Sequence, residues 1–207
     1  SGAEVDEPEV LDGWVDAGLA AEFPGLRVAY CLVPAAGGPS PPALRERLRV
    51  LSDRLRGAEA IALRGRDVPQ AYRVFFRHVG LEPDETRIPV EALVVERLTR
   101  GGFPSRGRLP DALAIACVET GVPVWALDAE RLDGPPGIRP ATAADAPAPE
   151  GRLVLADASR SLAVLFEAPE QPTRDARRLA LITVVVPHVP ALFAEEALWI
   201  AAEALEA

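Results

Sequence analysis

The chain has 207 residues, of which 49% are hydrophobic, and carries a net charge of −9 with no lysine, all 22 basic residues being arginine. This composition is typical of a globular chain and excludes an intrinsically disordered one. The longest apolar run, residues 179–186, is far shorter than the ~18 residues that a membrane span needs, so we expect no membrane partner.

Cysteine and histidine usage bounds the chemistry. Cys31 and Cys117 lie in apolar runs, which predicts buried free thiols and, by default, a cytoplasmic protein. The two histidines and two cysteines show no ligand spacing, so we predict no metal site and no cofactor. The length predicts one domain over residues 1–207.

The charge is distributed unevenly. Residues 45–108 hold 14 arginines and 9 acidic residues, whereas the remainder holds 8 arginines and 22 acidic residues. The basic middle could form a docking face for nucleic acid, or its arginines could be solvated faces of helices.

In the first third of the chain, apolar residues near helical spacing predict a helix over residues 10–23. Residues 26–33 are a continuous apolar run and predict a buried strand. Leucines four and three residues apart over 42–56 predict an amphipathic helix, with Pro42 in its first turn.

The middle of the chain is predicted to be helical. Apolar stripes indicate helices over 68–79, 89–99 and 110–119, with Asp111 as a predicted cap of the third. A glycine-rich loop covers residues 100–107, and Gly121 is a typical helix stop.

After Gly121 the apolar period changes to two, which predicts strands over 122–127, 153–157, 162–167 and 179–186. Residues 139–151 read as an Ala/Pro/Asp loop, and a final helix covers 190–206. Together these elements predict an α+β fold with a mixed or antiparallel sheet core and helices layered on one side.

Several short segments occur in a recognisable order. They are the turn GLEP at 80–83, the helix start RIPVEAL at 87–93, the segment PDALAIACVETGVPVWALDAERLDG at 110–134, Arg139, and RLVLAD at 152–157. This series resembles the editing domain of the beta subunit of bacterial phenylalanyl-tRNA synthetase, and its free-standing relatives more closely. The resemblance covers about residues 10–205, and its specific part is 73–157.

The resemblance implies the fold of that editing domain and the hydrolysis of tRNA that carries the wrong amino acid, tyrosine in the synthetase. The partner would be tRNA or aminoacyl-tRNA, and the chain could act as a trans-editing deacylase in translation quality control. Two departures bear on catalysis: Ala114 stands where the family usually has Asn, and the family's Gly-Glu pair after Arg139 is missing. The alternative is a non-catalytic module of the same fold that binds a small amino-acid-like ligand or a protein partner.

Two residues are candidates for catalysis. Glu91 follows Arg87 by four residues, so the two could share a helix face and either contact substrate or form a structural ion pair. His78 has a side chain suited to a general base, or it is a structural or surface histidine.

Substrate binding is assigned to four candidates, which are Arg87, Asp128, Arg139 and Trp125. Asp128 ends a predicted strand and could instead anchor the following loop. Arg139 could hold a phosphate or a carboxylate, and Trp125 could narrow the pocket.

Arginines around the glycine-rich loop, together with one aromatic residue, could grip the tRNA acceptor end through charge and base stacking. The alternative is a solvated loop. The predicted RNA-binding residues are Arg97, Arg100, Phe103, Arg106 and Arg108.

Overall fold

A computed structural model describes residues 7–207 of the chain. Within that range the chain forms eight strands and seven α-helices, which confirms the α+β class. The strands are β1 (Leu11–Asp12), β2 (Trp14–Val15), β3 (Arg27–Pro34), β4 (Trp125–Asp128), β5 (Gly137–Pro140), β6 (Leu153–Ala156), β7 (Ser161–Val164) and β8 (Arg178–Val185). The α-helices are α1 (Ala17–Glu22), α2 (Pro42–Arg54), α3 (Gly57–Leu63), α4 (Asp67–His78), α5 (Pro89–Arg100), α6 (Arg108–Thr120) and α7 (Ala191–Glu206).

The strands form two four-stranded sheets, where the sequence predicted one sheet core. The first has the order β1-β3-β8-β4 and is antiparallel throughout. The second has the order β2-β5-β6-β7, with β2 parallel to β5 and the other pairs antiparallel. The predicted mixed or antiparallel pairing is therefore confirmed.

The centre of the core lies at β3 and β8. From Leu179 to Val185 every residue of β8 is buried, and because neighbouring side chains point to opposite faces, both faces of this strand are covered. Helix α7 packs on α6, β8 and β3. Its alanines at 194, 197 and 201 are buried, and such short side chains allow close packing against these neighbours.

The predicted helix over 10–23 is wrong in its first half. Residues 11–15 instead form β1 and β2, and the helix begins only at Ala17. Gly13 explains the difference, because its amide donates to the Val28 carbonyl at 2.8 Å and a Cβ at this position would overlap the Pro136 carbonyl. Asp16 then caps α1 by accepting from the amides of Gly18 and Leu19.

Two further elements, β5 and α3, were not predicted. The loop expected over 139–151 begins inside β5, a strand rich in glycine and proline that pairs with β2 and β6. Gly137 of β5 lies against the indole ring of Trp14, and a Cβ there would overlap that ring. Helix α3 was also missed, because its seven residues are too few for a clear periodic pattern.

Candidate functional site

An apolar cleft of about 410 Å³ lies between α5, α6, β4 and the loop that follows β7. Helix α5 contributes Pro89, Leu93 and Glu96 to its wall, and α6 contributes Ala114 and Cys117. The spacings of three and four residues place each set on one helix face. A volume of this size is within the range of small-ligand sites.

The opposite wall comes from β4 and from the loop after β7. Trp125 lines the cleft from the strand and Val124 from the residue just before it, and Ala168 and Gln171 line it from the loop. Phe166 anchors this loop, since its ring centroid lies 6.1 Å from that of Trp125. Its φ of 69° is in the left-handed region, which an aromatic residue adopts only when its surroundings hold it there.

One end of the cleft is closed by residues 101–107, here called the strap. Phe103 and Arg106 of the strap line the cleft. The Phe103 amide donates to Ser52 Oγ at 2.9 Å, and Arg97 Nε donates to the Ser52 carbonyl at 2.9 Å. The end of α2 therefore holds the strap in place.

Asp111 fixes the strap from the other side. Its carboxylate accepts from Ser40 Oγ at 2.5 Å, Ser105 Oγ at 2.7 Å and the Arg106 amide at 2.9 Å. The side chain is buried, so these three donors offset its desolvation. The prediction that Asp111 caps the helix is wrong, because α6 begins three residues earlier, after Gly107, and the carboxylate binds the strap instead.

Glu96 neutralises two of the predicted RNA-binding arginines. Both terminal nitrogens of Arg106 donate to its carboxylate, one of them at 3.1 Å, and Arg100 Nε lies 3.4 Å away. Arg108 instead donates to the carbonyls of Leu205 and Ala207 at 3.1 and 2.8 Å.

The predicted RNA-binding set is thus already engaged inside the protein. Arg97, Arg100, Arg106 and Arg108 each have an internal acceptor or an acidic partner. Phe103 packs against the hydrophobic core. Their contact with RNA stays a prediction.

Glu91 does not pair with Arg87. Both of its oxygens accept from Arg73 Nη1, at 3.0 and 2.8 Å. Arg87 lies before the start of α5, so the helical spacing on which the predicted pairing depended does not apply. Glu91 and Arg87 line a separate groove of about 330 Å³ between α3 and α5, on the face of α5 that turns away from the cleft.

His78, the second catalytic candidate, is exposed at the end of α4 and stacks on Phe23, with the ring centroids 6.4 Å apart. It follows Arg73 by five residues, which is a rotation of about 140° around the helix. Glu91 and His78 therefore face different sides of α4.

The other substrate-binding candidates lie in different places. Trp125 lines the cleft, whereas Asp128 lines a smaller cavity of about 90 Å³ beside it. Asp128 Oδ1 accepts from the Glu130 amide at 3.0 Å, so the carboxylate does anchor the following turn.

Arg139 belongs to the second sheet and is engaged in an ion pair. Its terminal nitrogens donate to both oxygens of Asp145, at 2.6 and 2.9 Å. These bonds, with one from the Thr142 amide, hold the pKa of Asp145 well below its ordinary value. Arg139 thus fastens the loop after β5.

Both cysteines are free and buried, as predicted. Burial raises the pKa of each thiol to about 12, so both are neutral near pH 7. Cys117 therefore contributes to the cleft as an apolar side chain.

Over residues 7–207 no three His, Cys, Asp or Glu side chains are grouped to hold a metal ion. No helix in the same range has the length and apolar character to cross a bilayer. Comparison with known protein families finds no family model that matches the chain, and comparison with curated proteins finds no match either.

Sequence reasoning missed most residues of the cleft, among them Leu93, Glu96 and Gln171. Both long faces of α5 carry apolar residues, so the periodic pattern could not show that 89, 92, 93 and 96 line one cavity while 91, 94, 95 and 98 line another. Gln171 lies in a loop and carries no sequence signal.

Proposed function

We propose that the chain is a free-standing relative of the phenylalanyl-tRNA synthetase editing domain and that its cleft holds the amino-acid end of an aminoacyl-tRNA. One observation carries the proposal. Asp111, Ala114, Pro123 and Trp125 come from the segment with the most specific resemblance, and all four line the same cleft. The apolar wall suits a hydrocarbon side chain.

The reaction would be deacylation of the ester. An aminoacyl ester is already activated, so a site that orients the ester and a water can supply much of the rate enhancement without a strong nucleophile. Leu93 and Trp125 would hold the amino-acid side chain. Glu96 would release Arg106 and accept a hydrogen bond from the α-ammonium group of the amino acid instead.

A second candidate is a non-catalytic module that binds a small amino-acid-like ligand in the same cleft. It is favoured because the two carboxylates that line the cleft already have partners within the protein. Glu96 faces two arginines and Asp111 accepts three hydrogen bonds, so neither is a free general base. The net charge of −9 also disfavours broad contact with RNA.

The test is release of amino acid from a panel of mischarged tRNAs, with tRNA binding followed by gel shift at two salt concentrations. Ala114→Trp fills the cleft with an indole ring, because Ala114 is only partly buried on its wall. Val95→Trp is the matched control, since Val95 is 36% exposed on the other face of α5.

Release that is lost in Ala114→Trp and kept in Val95→Trp supports the deacylase. Binding of an amino acid without release from any tRNA supports the non-catalytic module. If the folded wild-type protein neither releases amino acid from any tRNA nor binds an amino acid, both candidates are refuted.

A further inference from the structure

Two polar side chains of the cleft have no partner within the protein. Of the charged, amide and indole side chains that line it, Glu96 and Arg106 bind each other, and Asp111 accepts three hydrogen bonds. Trp125 and Gln171 remain. In the described part of the chain, neither of these two side chains makes a hydrogen bond to another residue.

The indole nitrogen of Trp125 is open to solvent on the side of the cleft. The side chain is half-buried and lines the cleft. Over residues 7–207, the polar side-chain atoms that are buried without a partner are Arg108 Nε and Thr183 Oγ1. Trp125 Nε1 also lacks a partner and is not among them, so it is accessible. An indole N–H only donates, so this group requires an acceptor from a ligand or from water.

Gln171 belongs to the same wall of the cleft. It lies in the loop that begins at Phe166, whose ring centroid is 6.1 Å from that of Trp125. Its side chain is exposed, and its amide carries two N–H donors and one carbonyl acceptor. A carbonyl oxygen has two lone pairs, so it can accept from an indole N–H and an amide N–H together.

We propose that Trp125 Nε1 and the side-chain amide of Gln171 donate to the acyl carbonyl oxygen of the ligand. The inference rests on the proposed function, because the amino-acid part must occupy the cleft. It names the ligand class as an α-amino acyl ester or amide. An uncharged pair of donors matches the uncharged carbonyl oxygen of such a group, whereas a free carboxylate is bound most strongly by ionised donors.

The probes are L-phenylalanine methyl ester and the methyl ether of L-phenylalaninol, in which a CH₂ group replaces the carbonyl. The measurement is calorimetric titration at about pH 6, below the ordinary pKa of an α-amino group, so that both probes are cationic. Chromatography of the titrated sample checks that the ester is intact. With two neutral hydrogen bonds to the carbonyl, the wild type should bind the ester at least about tenfold more tightly than the ether.

The ratio of the ester affinity to the ether affinity is compared among variants, because a loss of packing weakens the binding of both probes. Trp125→Phe keeps an aromatic ring and loses the N–H, and Gln171→Leu keeps a similar volume and loses the amide. Each variant should lower the ratio to about threefold, and the double variant should bring it to about one.

The matched controls are Trp199→Phe and Gln70→Leu. The Trp199 indole donates to the Pro8 carbonyl at 3.2 Å, and Gln70 is exposed on α4. Neither residue lines the cleft, so both variants should keep the wild-type ratio.

Equal affinities of the wild type for the two probes would overturn the carbonyl site and leave the proposed function standing. A wild-type ratio in the double variant would also overturn it, since the carbonyl would then bind elsewhere. A ratio lowered equally in the controls would do the same, because the effect would not depend on the cleft. If neither probe binds the folded protein, the proposed function and the carbonyl site both fall.

Discussion

Arg73 and Glu91 face each other between α4 and α5, with Nη1 of the arginine 2.8 Å from one oxygen of the glutamate. The two side chains are only 4% and 12% exposed. Asp84 contacts the second terminal nitrogen of Arg73 at 2.7 Å, which completes a bridge between α4, α5 and the turn that joins them.

Glu91→Ala should lower the free energy of unfolding by about 3 kcal/mol, because it leaves a buried guanidinium with only Asp84 as partner. Urea unfolding at pH 7 measures this. The double variant Arg73→Met/Glu91→Leu should recover most of the loss, since it removes both charges together. Glu46→Ala, in an exposed pair with Arg49, should cause no measurable change. A small loss in Glu91→Ala would contradict a structural role for this pair.

The left-handed backbone at Phe166 predicts an unusual order of stability. Both Phe166→Ala and Phe166→Gly lose the ring contacts with Tyr72, Phe75, Phe76 and Trp125. Only glycine relieves the positive φ, so the glycine variant should be the more stable of the two by about 1 kcal/mol. Thermal unfolding of the two variants decides the point, and a more stable alanine variant would argue against strain at this position.

Gly137 and Gly57 should respond in opposite ways to alanine. Gly137→Ala forces a methyl group into the indole of Trp14 and should lower the unfolding free energy by about 3 kcal/mol. Gly57→Ala places its methyl group in open space at the start of α3 and should raise it by about 0.5 kcal/mol. Denaturant titration of both variants provides the comparison. Equal changes in the unfolding free energy of the two variants would mean that β2 can move away from β5 without loss of stability.

The pair of Arg139 and Asp145 predicts a pH dependence. The pKa of Asp145 is lowered in the folded state, so its contribution to stability is complete above the unfolded pKa of about 3.9 and is lost as the pH falls through the folded value. Asp145→Asn should therefore be less stable than the wild type at pH 7. The difference should shrink as the pH falls below about 4, as followed by unfolding at a series of pH values. A constant difference would exclude the ion pair as its cause.

Most helices could be predicted from the sequence because their apolar residues repeat at helical spacing. The predicted helices over 42–56, 68–79 and 190–206 agree with α2, α4 and α7 within about two residues. The early strand β2 and the strand β5 could not be predicted in this way. They contain two and four residues, and their positions depend on Trp14 packing against Gly137 from a distant part of the chain.

The site was predictable only in part. Trp125 and Ala114 were singled out from the sequence, and both line the cleft. The partner of Glu91 could not be predicted, because Arg73 is 18 residues away and reaches it only through the packing of α4 on α5. The same limit applies to the arginines around the strap, whose exposure depends on where Glu96 and Ser52 lie.

The carboxylate of Asp111 has a consequence for recognising relatives of this chain. It joins Ser105, six residues away, to Ser40, which is 71 residues away. A short sequence motif cannot include all three residues, because Ser40 and Asp111 are 71 residues apart. In a homologue that keeps the cleft, these three residues should be replaced together, because the carboxylate at position 111 needs the hydroxyl donors at positions 40 and 105. Correlated substitution at these three positions would identify homologues of this chain more reliably than any contiguous sequence motif.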